Sequence, residues 1–156
     1  MDDVRQIEMA AASAYFAAWR GVELKWASLA KYPVPKDWLT IRSRRSTRTP
    51  WMTNWQATHP VNAMLNYAYA VLCSQVQIEA AAQGYDPRRG IMHFDRAERP
   101  ALVLDLMEPC RPVVDRQVLN FFARSKLTGG DFLIMDDGVC RLAPQMARRI
   151  CEVIST

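Results

Sequence analysis

No segment of this 156-residue chain approaches the roughly 18 consecutive apolar residues that a membrane-spanning helix requires. The first twenty residues carry early acids where a secretory signal would place positive charge and an apolar core, so the expected compartment is the cytoplasm. There is no CxxC pair: Cys73, Cys110, Cys140 and Cys151 are scattered, which argues against a zinc ribbon or a redox motif and for reduced, mostly buried thiols. Also missing are an internal repeat, a low-complexity segment, a phosphate-cradling glycine loop and a Gly-x-Ser-x-Gly nucleophile elbow, and those enzyme classes lose weight with them. Histidine is scarce as well, with two in the chain, so each one that stands near carboxylates matters.

What remains is material for one domain spanning residues 1–156, long enough to bury a core without a metal or disulfide staple. Half the residues are hydrophobic, and the nine prolines fall mostly between periodic segments, as in an ordered globular protein. A net charge of +4 mildly favours a polyanionic partner but does not decide one.

From Val4 to Trp19 apolar residues recur every three or four positions, the period of an amphipathic helix, and Tyr15, Phe16 and Trp19 read as packing residues. Between Gly21 and Ala57 that periodicity is lost, and Arg42, Arg44, Arg45 and Arg48 crowd into the segment IRSRRSTRTP. The expectation is a long basic loop, either a phosphate-binding surface or a solvated flexible face. Thr58 can cap the next helix, Pro60 suits its first turn, and the run extends to Gly84, where a left-handed terminus is expected. This longest helix reads as central, with Glu79 as the one carboxylate on it.

Pro109 and Pro112 should break regularity before VVDRQVLNFFARSKL, a packing helix carrying Val113, Val114, Val118, Leu119, Phe121 and Phe122 and closed by Gly129 and Gly130. FLIMDDGVCRL reads as a short hairpin turning at Asp137 and Gly138, and a terminal helix follows from Ala143. The expected fold is therefore mainly α, a bundle-like domain around a long central helix with one short β-hairpin near the C-terminus.

The stretch from Gly84 to Arg116 carries the chemistry. His93 precedes Asp105 and Glu108, whose three-residue spacing puts both carboxylates on one side of a helical turn to which a loop could return the imidazole. An imidazole with hard oxygen ligands suits manganese or magnesium; the plain alternative is a surface histidine beside two solvated carboxylates.

HPVNAMLNYAYAVL, GYDPRRGIMH and ALVLDLMEPCRPVVDR, in that order, resemble the C-terminal helical catalytic domain of CRISPR-associated protein one, the spacer-acquisition endonuclease and integrase. The similarity runs from about Glu8, where EMAAASAYF resembles the family's opening helix, to the terminal helix. It implies phosphodiester transesterification or hydrolysis on DNA with Mn2+ or Mg2+, a homodimer, and CRISPR-associated protein two as partner. By the resemblance His93 and Glu108 are metal ligands and Asp105 a supporting catalytic carboxylate. Arg42, Arg44, Arg45, Arg88, Arg89 and Arg111, with Arg116, would meet DNA phosphates.

Two departures bear on activity. Close relatives of this subtype read VLESQV on the long helix where this chain reads VLCSQV, so Cys73 stands in place of a metal-binding Glu. A thiol is a poor ligand for a hard ion, and Glu79, the candidate substitute, lies six residues on and about 120° round the helix. The family's N-terminal β domain, which carries much of the dimer contact, is not in this chain, and a fragment or reduced variant is expected. The alternative implied by both departures is a catalytically silent DNA-binding or interaction module of the same fold.

Overall fold

Pro60 begins the helix that most other elements touch. A computed structural model describes residues 2–44, 56–90 and 100–155 of the chain. In it α1 covers Asp2–Ala17, α2 Pro60–Ala82, α3 Ala101–Met107, α4 Arg111–Arg124 and α5 Pro144–Ile154, with strands β1 Phe132–Ile134 and β2 Cys140–Leu142 before the last helix. The fold is mainly helical with one antiparallel hairpin near the C-terminus, as expected.

At 23 residues α2 is about 35 Å long. Val61, Met64, Leu65 and Ala68 in its N-terminal part are buried, while Asn66 and Tyr67 are half-buried. It packs against α3, α4, α5 and β2. The cap falls one residue later than expected: His59 Nδ1 accepts from the Val61 N–H at 3.3 Å, with Pro60 in the first turn where its missing N–H costs nothing. Thr58 instead offers its carbonyl to Trp38 Nε1 at 2.8 Å. The far end stops as expected at Gly84, whose φ of +83° suits a residue without Cβ.

The aperiodic stretch after α1 is the larger correction. Residues 21–41 form a strap packed on the bundle, stitched by Gly21 N–H to Ile41 carbonyl at 2.8 Å and Leu24 N–H to Leu39 carbonyl at 2.9 Å. A parallel bridge joins Trp26 to Leu127. Leu24, Trp38 and Ile41 are buried in the common core, and Trp38 stacks on Trp26 while meeting the edge of Phe132.

Pro109 and Pro112 do not break the chain as expected. Pro109 lies in a single 3-10 turn, Glu108–Cys110, and Pro112 in the first turn of α4, both places where a proline removes no needed donor. The helical backbone therefore runs almost unbroken from Ala101 to Arg124. Along α4, Val114, Val118 and Phe122 recur at four-residue spacing and are buried, whereas Val113 faces solvent. The helix ends at Arg124, earlier than the Gly129–Gly130 pair, which forms a separate 3-10 turn against Tyr32.

β1 pairs with β2 in the register Phe132 to Leu142 and Ile134 to Cys140, and Gly138 takes the left-handed turn position with φ +81°. Cys140 N–H donates to the Ala57 carbonyl at 2.7 Å, tying the hairpin to the entrance of α2. Met146 and Ile150 seal α5 onto the core. None of the four cysteines is in a disulfide. No helix among the described residues is long and apolar enough to cross a membrane.

Candidate functional site

The loop after α2 is built to return the chain to a fixed place. Asp86 Oδ1 accepts from the Arg88 backbone N–H at 3.0 Å, closing a tight Asx-type turn. That bond, helped by the Arg88 and Arg89 charges, holds the Asp86 carboxyl below its ordinary range. Both arginines are largely exposed, with Nε atoms 3.3 and 3.9 Å from the Asp86 carboxylate. The Pro87 carbonyl then accepts from Leu102 N–H at 3.0 Å. Gly90 comes so close to α3 that a Cβ there would lie 2.6 Å from Ala101 Cβ. Residues 85–90 are thus docked on the first turn of the helix that carries Asp105 and Glu108. His93 follows three residues after Gly90 and lies outside the described residues, as do Arg45 and Arg48.

Asp105 and Glu108 are both half-buried. Met107 and Glu108 keep right-handed helical dihedrals, so the helix-period argument holds across the α3 boundary and the two carboxylates share a side. Glu108 Oε1 is 3.0 Å from Arg111 Nη1, one turn on. The Arg111 guanidinium also lies 5.2 Å from the centroid of the Tyr69 ring on α2. Cys73 is one turn beyond Tyr69 on the same face, and burial pushes its thiol above the ordinary value against the opposing pull of the Arg111 charge. Position 73 therefore belongs to the same corner as Arg111 and Glu108. Glu79 is exposed elsewhere on α2, its carboxylate taken by Gln83 Nε2 one turn on.

Next to this corner is a polar network centred on the buried Asp115 that the sequence did not reveal. Asp115, on α4 one turn after Arg111, accepts from the Tyr69 hydroxyl and from Tyr15. Burial, the larger effect, raises the Asp115 carboxyl above its ordinary value even though these donors and the Arg44 and Arg111 charges pull the other way. It pushes Tyr69 well above the usual phenol range and Tyr15 up to about 12, so both stay protonated donors. Arg44 turns inward: its Nη2 donates to Asn66 Oδ1 at 2.6 Å, and its guanidinium lies about 6 Å from the rings of Phe16 and Tyr69. Burial lowers the Arg44 pKa, with Tyr69 and Asp115 opposing. Arg42 and Arg116, by contrast, are exposed. The sequence signal for this network is that Asn66 and Tyr69 interrupt a largely apolar run.

Among the described residues no group of three or more His, Cys, Asp or Glu side chains converges closely enough to hold a metal ion. Two hard oxygen donors, Asp105 and Glu108, share one side of a helix, and the neighbouring position on α2 offers a thiol.

The family model for CRISPR associated protein Cas1 matches residues 1–155. The chain belongs to the Cas1 family. A CRISPR-associated endonuclease Cas1 of Methanospirillum hungatei is 30% identical over 158 residues, covering 100% of this chain and 41% of its own. A CRISPR-associated exonuclease Cas4/endonuclease Cas1 fusion of Geobacter sulfurreducens is 43% identical over 91 residues, 58% of this chain and 16% of the fusion. Among solved structures, a casposase bound to integration product superposes with a TM-score of 0.69 at 27% identity, covering 78% of this chain and 35% of that one. This Cas1-family chain thus spans well under half the length of these relatives.

Proposed function

We propose that this chain is a DNA endonuclease and integrase domain of CRISPR adaptation, acting by phosphodiester transesterification or hydrolysis at the corner formed by His93, Asp105 and Glu108. The observation that carries this reading is the docking of Gly90 and Pro87 on the first turn of α3. His93 is three residues from that anchor, a reach of roughly 10 Å at most, while Asp105 and Glu108 lie about 6 and 10 Å along the helix from Ala101. A connection of that length would let the imidazole meet both carboxylates. Membership of the Cas1 family and the likeness to a casposase bound to integration product support the same chemistry.

Glu108 and Asp105 suit a hard divalent ion, and with His93 they would hold Mn2+ or Mg2+. Such an ion would polarise the scissile phosphodiester and stabilise charge that develops on it. The chain's own residues supply the rest. Exposed Arg88, Arg89, Arg42 and Arg116 would take backbone phosphates, and Arg45 extends the same basic segment. Arg111 would act on the strand only if it leaves Glu108, and Arg44 is committed to the buried network. Glu79 would add a carboxylate only after turning from Gln83 toward the corner. A second copy of the chain and CRISPR-associated protein two are the proposed partners, in the cytoplasm.

One observation favours a second reading, a catalytically silent DNA-binding or interaction module. Cys73 lies one turn after Tyr69, whose ring packs on Arg111, and a carboxylate there would add a hard donor beside Glu108. Nicking of branched DNA in the presence of Mn2+ separates the two. Cleavage that His93→Ala abolishes supports the enzyme. Cleavage that survives His93→Ala unchanged removes the assignment, and DNA binding with no cleavage leaves the silent module.

A further inference from the structure

Glu108 is already engaged by a cation that belongs to this chain. Arg111 reaches one turn back to it, Nη1 to Oε1 at 3.0 Å, with both side chains mostly shielded. The guanidinium is held from a second side by the Tyr69 ring. Tyr69 in turn is fixed by its hydroxyl bond to Asp115, on the same helix as Arg111 and one turn further along. Arg111 is therefore clamped between α2 and the α3–α4 junction and is not a free surface arginine. Cys73 stands close enough for the Arg111 charge to act on its thiol, yet a cysteine offers the guanidinium no carboxylate in exchange for Glu108.

Resting on the metal corner proposed above, we infer that Arg111 is the resident counter-ion of Glu108 and sets the metal affinity of this chain. A divalent ion held by Glu108 would have to take the place of the guanidinium on that carboxylate. Two cations cannot share Glu108 at contact distance without strong repulsion in a partly buried site. A carboxylate at position 73 would give Arg111 a second partner and release Glu108.

The test is a Mn2+ titration of the DNA-free protein, read as loss of the electron paramagnetic resonance signal of free Mn2+. The parent is compared with Arg111→Gln, Arg111→Lys and Cys73→Glu. Arg111→Gln should tighten binding about tenfold, because it removes the charge and the competitor together, and Arg111→Lys should stay within about twofold of the parent. Glu108→Ala in the Arg111→Gln background should abolish the gain. Melting curves are taken first, and Arg111→Met, which keeps the stem packing beside Tyr69, replaces Gln if that variant does not melt cooperatively. If Cys73→Glu binds Mn2+ more tightly but neutralising Arg111 does not, the counter-ion role is overturned and the metal corner stands. If no variant binds, both fall.

Discussion

The Tyr69 hydroxyl donates to Asp115 Oδ1 inside the bundle and so joins the central helix to the helix that carries Arg111. Burial holds the Asp115 carboxyl above the 3.8 of a free side chain. The folded state thus keeps this proton to a higher pH than the unfolded chain. From pH 3.8 up to the raised folded value, the stability contributed by Asp115 falls as pH rises, and above that value it is flat. Asp115→Asn removes the titration while keeping the shape. Unfolding free energies of parent and variant by denaturant titration should give a parent-minus-variant difference that declines across that window. A difference that grows with pH would contradict the burial-dominated carboxyl.

Gly90→Ala should loosen the loop that leads to His93. The added Cβ would meet Ala101 Cβ at 2.6 Å and the Ala101 carbonyl carbon at 2.7 Å, and backbone cannot give way as a flexible side chain can. A cost of about 1–3 kcal/mol is expected. Hydrogen exchange at Leu102, whose N–H is bonded to the Pro87 carbonyl, is the local readout and should accelerate more than exchange in α5.

Trp38 should be among the most costly single sites outside the α-helices. It is 2% exposed, stacked on Trp26 and bonded through Nε1 to the Thr58 carbonyl. Trp38→Ala is expected to lower stability by about 3–5 kcal/mol in denaturant unfolding. Trp38→Phe keeps an aromatic ring but removes the Nε1 donor to the Thr58 carbonyl, and should cost less than Ala. A surface-like value under about 0.5 kcal/mol for Trp38→Ala would mean that the strap is not part of the core.

That strap marks where the sequence stopped being readable. α2 was legible because proline and glycine punctuate a long apolar run, and the hairpin because Asp137 and Gly138 sit between two short apolar segments. Residues 21–41 have neither helical nor strand period, since their partners are distant: Trp26 bridges Leu127, and Trp38 meets Thr58 and Phe132. Such a segment looks like a loop until the partners are known. The same limit applies at the site. Asp105 and Glu108 were paired by spacing, which survived because the backbone stays helical past Met107. Asp115, Tyr69, Tyr15 and Arg44 come from four separate parts of the chain, and no spacing rule connects them. Spacing alone groups Arg44 with its neighbours as a phosphate-binding surface or a solvated face, and its guanidinium lies about 6 Å from the rings of Phe16 and Tyr69.

The most direct test of the proposed DNA chemistry is single-turnover nicking of branched DNA with Mn2+, run in parallel on the parent, Glu108→Ala and Cys73→Glu. The expected result is slow cleavage by the parent, none by Glu108→Ala, and a rate about tenfold or more above the parent for Cys73→Glu, since a carboxylate beside Arg111 would complete the corner. Cleavage by Glu108→Ala at the parent's rate would contradict a catalytic site at this corner.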